Sequence, residues 1–311
     1  MARQGARFGT STARALANGA NVEAMLEATV SGLAQGCIYA LVALGFVLIY
    51  KATGVVNFAQ GELMMAGAYI YFALSTHGGL PFPAAFAATI LLAGLLGALI
   101  ERAIMHPLVD EPDFVLLMVT AGLAIVLRSV IGMIFSHETY RVPSPLAERS
   151  FAVGGVTIAA VQVWTFLVTL LLTLALFAFF RFARVGIAMR AVAQNRYAAQ
   201  LVGIRVRSLF TLTWALAAAV AAMGGMLLAD VGYLHTNMGF IGLRAMPAAV
   251  LGGLTSVPGA LLGGLIIGLV ENLSGAFLGS GLKDVSAYLV LLAVLLVRPT
   301  GLLGEPDQKK V

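Results

Sequence analysis

Residues 63–100 read LMMAGAYIYFALSTHGGLPFPAAFAATILLAGLLGALI, 38 positions without an Asp, Glu, Lys or Arg. Crossing a hydrocarbon core of about 30 Å takes about 20 residues of apolar helix, so this stretch is too long for one span. The cluster STHGGLPFP at 75–83 supplies the turn residues where it should break. Two spans are expected from it. Residues 28–50, 150–180, 208–229 and 245–270 are likewise free of charge, each long enough to cross. Residues 114–135 are interrupted only by Arg128, and 285–297 form a shorter apolar run. The expectation is an all-α polytopic membrane helix bundle of about eight transmembrane helices.

Composition agrees: of 311 residues, 60% are hydrophobic and 11% charged, with a mean hydropathy of +0.96. Soluble domains run near 45–50% apolar and 25% charged, so a soluble enzyme is excluded. Cys37 is the single cysteine, which removes any intrachain disulfide and any Cys-rich metal site. It reads as a small apolar helix residue.

The few charges set the orientation. Arg181, Arg184, Arg190, Arg196, Arg205 and Arg207 share one connection with no acid, which the positive-inside rule places in the cytoplasm. Counting outward puts 136–150 on the other side, while Arg298, Lys309 and Lys310 favour a cytoplasmic C-terminal tail (305–311). Counting back, however, exports the N-terminus with Arg3, Arg7 and Arg14, against the same rule. A re-entrant segment near 52–66 or a later start, at Met25, would each remove the conflict. Residues 1–24 therefore read either as a basic, disordered tail or as lying ahead of the true start, and they lack the apolar block of a signal peptide. The side of the N-terminus stays open. Residues 25–304 make up one membrane domain.

Small residues recur every four positions: Gly32, Gly36 and Ala40, then Gly259 with Gly263 and Gly264 with Gly268. Each set lines one helix face, and in lipid such faces let backbones approach closely. Acids at membrane depth cost about 2.5–3.5 kcal/mol, so Glu62 and Glu271 should face a cavity, a partner or the interface. The headgroup boundary is the favoured place for Glu271. Glu62 divides evenly between that boundary and a cavity, because Asn57, Gln60 and Glu62 cluster where a helix should start. Asn57 is the candidate N-cap there, with Gln60 as its capping-box partner. Between 239 and 264, Arg244, Pro247, Gly252, Gly253, Pro258 and Gly259 interrupt an apolar run. This is either a broken helix lining a pathway or a Pro-containing turn between ordinary spans. The resulting pathway candidates are Asn57, Gln60, Glu62, Pro247, Gly252 and Gly253. Arg128 reads as snorkelling from a span end.

Much chemistry is absent from the sequence. No Lys opens a Gly-Lys-[Ser/Thr] phosphate loop, and NLSGA (272–276) lacks the Gly-Gln that would continue an ATPase signature. His77, His106, His137 and His235 have no metal spacing, and neither H-E-x-x-H nor G-x-S-x-G occurs. No catalysis, cofactor or metal is expected. The basic loop lacks interleaved aromatics, so nucleic acid is not a partner and topology or a cytoplasmic protein explains it better.

Three stretches then resemble a known family, the LivH-like permease subunits of branched-chain amino acid ABC importers. They are GLAQGCIYALVALGFVLIYKATGVVNFAQGELMMAGAY (32–69), GIAMRAVAQNRYAAQLVGI (186–204) and AAVLGGLTSVPGALLGGLIIGLVE (248–271). The family's N-F-A-[HQ]-G-E run appears as Asn57 to Glu62, and the resemblance covers about 25–304. It implies that the loop at about 183–207 carries a short helix that docks on an ATPase, at Tyr197, Ala198, Ala199 and Gly203, with Arg190 nearby. Tyr197 stands where the family pattern has an acid. The resemblance also implies a homologous second permease subunit, two ATPases, a periplasmic substrate-binding protein and an inner-membrane location. The alternatives are a self-sufficient secondary transporter or channel, and, within the family, urea or short amides as substrate.

Overall fold

The computed structural model describes residues 5–109, 111–142, 149–153 and 156–304; the C-terminal tail 305–311 lies outside them. The helices are α1 (Gly5–Thr53), α2 (Gln60–Phe72), α3 (Phe82–Ile100), α4 (Asp113–Phe135), α5 (Ala160–Phe182), α6 (Arg184–Gln194), α7 (Arg196–Leu201), α8 (Val206–Val231), α9 (Phe240–Gly252), α10 (Val257–Phe277) and α11 (Ser280–Val297). A two-stranded antiparallel hairpin, β1 (Ser150–Val153) and β2 (Val156–Ala159), precedes α5. Backbone is helical from Gly5, within the stretch expected as a disordered tail.

Six helical segments among the described residues are long and apolar enough to cross a membrane: Ala24–Thr53, Phe82–Leu108, Asp113–Phe135, Ala160–Phe182, Val206–Val231 and Val257–Phe277. The break after the first half of 63–100 falls where the turn residues place it, with Gly79 at φ +62° and Pro81 extended ahead of α3. The protein is a multi-pass α-helical membrane bundle.

The two ends of the bundle are marked by side-chain contacts. At one end, Lys51 Nζ donates to the Thr255 carbonyl (3.1 Å), and Tyr50–Asn57, Glu101, Asp113, Arg190 and Tyr197 border one cleft. The basic loop with α6 and α7 lies there. At the other, Tyr140 pairs with Leu234 and packs on Phe72 (4.8 Å), while Gln162, after the hairpin, reaches Ser31 near the start of the apolar segment Ala24–Thr53 (3.4 Å). Ala24 therefore lies toward the hairpin end, as the span count requires and against the pull of the arginines.

Two passages depart from the expected spans. Residues 54–77 leave the loop end as non-helical chain, form α2 and finish at the hairpin end, so this is a broken span that does not turn back as a re-entrant loop would. Residues 236–252 make the opposite journey through a 3₁₀ turn and α9. The stretch 245–270, read as one span, is thus divided by a turn at Gly253 (φ +101°) into α9 and α10. With α11 the chain makes nine passages among the described residues, one more than expected. Hydropathy averaged over a window does not register an apolar turn.

Burial follows from these positions. From Cys37 to Ile49, α1 is buried all round, as a centrally placed apolar helix must be. Its small face crosses α10: Gly36 lies against the Gly264 carbonyl and Leu265, and Gly32 against Gly268. Gly259 and Gly263, on another face of α10, admit the backbone of α9 at Gly252 and Ala248. The outer helices bury only a stripe. Leu91, Leu95, Ile125, Met133 and Leu171 are more than half exposed, a surface suited to lipid rather than water.

Glu271 faces a partner inside the bundle rather than water. It is 1% exposed, and the Tyr39 hydroxyl donates to its Oε2 at 2.6 Å. Burial is affordable because a donor from α1 meets the carboxylate. Tyr39→Phe is expected to destabilise the protein by about 1–3 kcal/mol, read as a lower thermal midpoint in detergent; an unchanged midpoint would contradict this role.

Candidate functional site: the junction of two half-length helices and the basic loop

α2 and α9 have 13 residues each, about 20 Å of helix, too short to span. Their first turns meet inside the bundle, where Gly61 packs against Gly239 and Gly242. From that contact α2 runs toward the hairpin end and α9 toward the loop end. A side chain at Gly61 or Gly242 would force the two backbones apart, and one at Gly239 would displace the Glu62 carboxylate. The positive ends of both helix dipoles therefore converge on one interior point.

The polar cluster lies at this point. Asn57, Gln60 and Glu62 are 1%, 0% and 2% exposed. Asn57 does not cap α2, whose N-cap is Ala59. Its Oδ1 accepts from the Ala59 amide two residues on (3.0 Å), an Asx turn rather than a capping box, and its amide donates to Gln60 Oε1 (3.4 Å). Gln60 in turn donates to the Ala217 carbonyl of α8 (3.3 Å), over Gly45, which leaves room for it. Thr120 Oγ1 accepts from the Phe58 amide (3.2 Å), tying the extended segment to α4.

Glu62 pairs with Arg128. The carboxylate rests against Gly239 at the start of α9, and the guanidinium lies over the Phe240 ring, 3.9 Å from its centroid, a close cation–π contact. Arg128 is therefore no snorkelling residue at a span end. It sits seven positions before the last residue of α4, about 10 Å of helix inward, because an acid on α2 and an aromatic ring on α9 hold it there. Sequence reading treated the two charges separately, 66 positions apart, and missed the pair. Glu62 Oε2 and Arg128 Nε have no hydrogen-bond partner among the described residues.

Pro247, Gly252 and Gly253 are not brought to this junction. Pro247 is buried within α9, and the glycines close its far end, where the Leu302 and Leu303 amides donate to the Leu251 and Gly252 carbonyls (2.8 and 3.0 Å).

The loop end holds a cleft of about 910 Å³ that reaches Asn57, Thr120 and Trp214 at its inner limit. Its walls include Lys51, Arg190, Asn195 and Tyr197 together with Glu101, Glu111 and Asp113. Beside it, α7 starts with Asn195 Oδ1 accepting from the Ala198 amide (2.9 Å). It stops where the Gly203 amide donates to Gln200 and the Ile204 amide to Ala199, both 3.0 Å. With Gly203 at φ +83°, this is a Schellman cap. Ala199 is buried, while Tyr197, Leu201 and Val202 are 81%, 89% and 77% exposed. Leu201 and Val202 lie within the stretch 197–203 that matches the family's docking motif, but that they stand out from the protein is shown only by the structure. Among the described residues no three His, Cys, Asp or Glu side chains group as a metal site.

Residues 28–297 match the family described as the branched-chain amino acid transport system permease component. The chain is 36% identical over 301 residues to the Escherichia coli K12 high-affinity branched-chain amino acid transport system permease protein LivH, covering 92% of this chain and 97% of that one. It is also 36% identical to the Pseudomonas aeruginosa permease protein BraD, covering 92% and 98%. Among solved structures it is similar to PsaBC from Streptococcus pneumoniae in complex with Fab, at 16% identity, a TM-score of 0.49 and 87% and 91% coverage, a likeness too low to transfer structural detail. With the family match running over residues 28–297 and 36% identity to curated relatives across 92% of its length, the chain belongs to the branched-chain amino acid transport permease family.

Proposed function

We propose that this chain is the inner-membrane permease subunit of an ATP-binding-cassette importer for branched-chain, hydrophobic amino acids. Substrate arrives from a periplasmic binding protein at the hairpin end, and separate ATPase subunits act at the loop end, with a second permease subunit completing the membrane unit. The observation that carries this reading is α7, a rigidly capped short helix that holds Tyr197, Leu201 and Val202 out of the protein at its most basic end. Exposed apolar side chains beyond the membrane helices call for a protein partner. ATPase closure pulling on α7 would move α6 and the cleft wall at Arg190, which adjoins the inner end of the pathway at Asn57. Gln60 and Glu62 continue that pathway inward.

Proteoliposomes holding the full complex are expected to accumulate leucine only with both ATP and binding protein. Uptake by this chain alone, driven by an ion gradient, would overturn the reading in favour of a secondary transporter. Gly203→Val places a β-branched residue in the left-handed region, costing about 1–2 kcal/mol at the cap, a factor of roughly 5–30 in the capped population. The expected result is ATP hydrolysis without matching uptake; coupled uptake at the wild-type ratio would remove α7 from the coupling role.

A further inference from the structure

We propose that the junction of α2 and α9 binds the charged head of a zwitterionic amino acid, with Glu62 taking its ammonium group and Arg128 its carboxylate. The proposal rests on the importer reading and names the substrate chemistry of its pathway.

Four observations carry it. The first is the convergence of two 13-residue helices on one interior point, where their positive ends face the Glu62 carboxylate that rests against Gly239. Second, Glu62 is almost fully buried, yet its Oε2 has no partner among the described residues, and neither has Arg128 Nε. A pair serving only to staple α4 to α2 would be expected to satisfy these atoms; here each charge retains unused hydrogen-bonding capacity. Third, the Arg128 side chain is 30% exposed, so the pair opens on one side. On that side Phe240 and Leu243, three residues apart on α9, are 48% and 41% exposed, an apolar face for an aliphatic side chain next to the charges. Fourth, the cleft ends at Asn57 and Thr120, and Asn57 is bonded to Gln60, two residues before Glu62. The junction thus lies next along the path.

Charge balance selects the ligand class. Glu62 and Arg128 are neutral together, and a zwitterion inserted between them keeps the interior neutral while giving each charge a new partner. A lone cation or anion would leave one buried charge uncompensated, and urea or a short amide, able to hydrogen-bond to both groups but uncharged, would separate the ion pair without a charge to replace either member.

The test uses the permease–ATPase complex in nanodiscs without binding protein, titrated with leucine, leucinol (no carboxylate), 4-methylvalerate (no ammonium) and urea, with thermal stabilisation as the readout. Leucine is expected to bind at least about tenfold more tightly than the other three, the ratio that one lost charge-assisted hydrogen bond produces. Equal binding of the four, or no leucine binding, overturns the proposal. The double variant Glu62→Gln with Arg128→Gln keeps two amides able to hydrogen-bond across the same gap, and is expected to lose leucine affinity by about tenfold or more. An assembled double variant with wild-type affinity also overturns it, and if that variant does not assemble, the wild-type titration decides. ATP-dependent leucine uptake by the wild-type complex with binding protein is measured alongside. Failure there falls on the importer reading, whereas normal uptake with an indifferent double variant falls on the subsite alone.

Discussion

Replacing Arg128 with alanine is expected to destabilise the folded protein by about 3 kcal/mol or more, because it strands a buried carboxylate. Glu62 is 2% exposed, and its one ion-pair partner among the described residues is the Arg128 guanidinium. The same change removes the cation that covers Phe240 at the start of α9. A drop of this size should appear as loss of monodisperse protein on detergent extraction and a sharply lower thermal midpoint. Removing both charges together, as Glu62→Met with Arg128→Met, should recover most of the loss, since an apolar pair leaves nothing unpaired. Equal damage from the single and double variants would mean that the charges are not coupled in this way.

Gly36→Leu is expected to be at least as damaging. A Cβ there would lie 2.8 Å from the Gly264 carbonyl oxygen and 2.9 Å from Leu265 Cα. Both are backbone atoms of α10, so no side-chain rotation relieves the overlap, and α1 must separate from its principal neighbour. Overpacking costs about 1–3 kcal/mol where side chains can adjust and more where they cannot; about 3 kcal/mol is the lower bound expected here. Gly122→Ala on α4 is the matched control, since nothing lies within 4 Å of a Cβ at that position. It should be neutral or stabilising by up to about 1 kcal/mol through helix propensity. Comparing thermal midpoints checks both, and a folded Gly36→Leu protein of wild-type stability would refute the assigned α1–α10 crossing.

The legible and illegible parts of this fold divide by the range of the interactions. The four-residue spacing of Gly32, Gly36, Gly264 and Gly268 was visible as two small faces, yet only packing shows that these faces meet each other. Gly259 and Gly263 looked equivalent to them and instead serve α9. The loop helix entered through the family resemblance, which supplied its place and Gly203; its Asn195 cap and Gly203 stop are made by neighbours in sequence, yet the cap went unread until the structure showed it. The polar cluster at Asn57, Gln60 and Glu62 stood out for its composition, whereas its meaning depended on α4, α8 and α9. Pro247, Gly252 and Gly253 drew attention as helix breakers and proved to shape and end α9 away from that cluster.

By itself the sequence determined that the chain lives in a membrane, roughly how often it crosses and which end is basic, since all three follow from transfer free energies summed along the chain. Tertiary structure alone decided that two of the crossings are made by half-length helices, and that Glu62 and Arg128 neutralise each other where those helices meet. Hydropathy is a sum of local terms. The pairing of two charges 66 residues apart is a property of distance in space, and an ion pair in an apolar interior exists only once packing has brought its members within a few ångströms and removed the water between them.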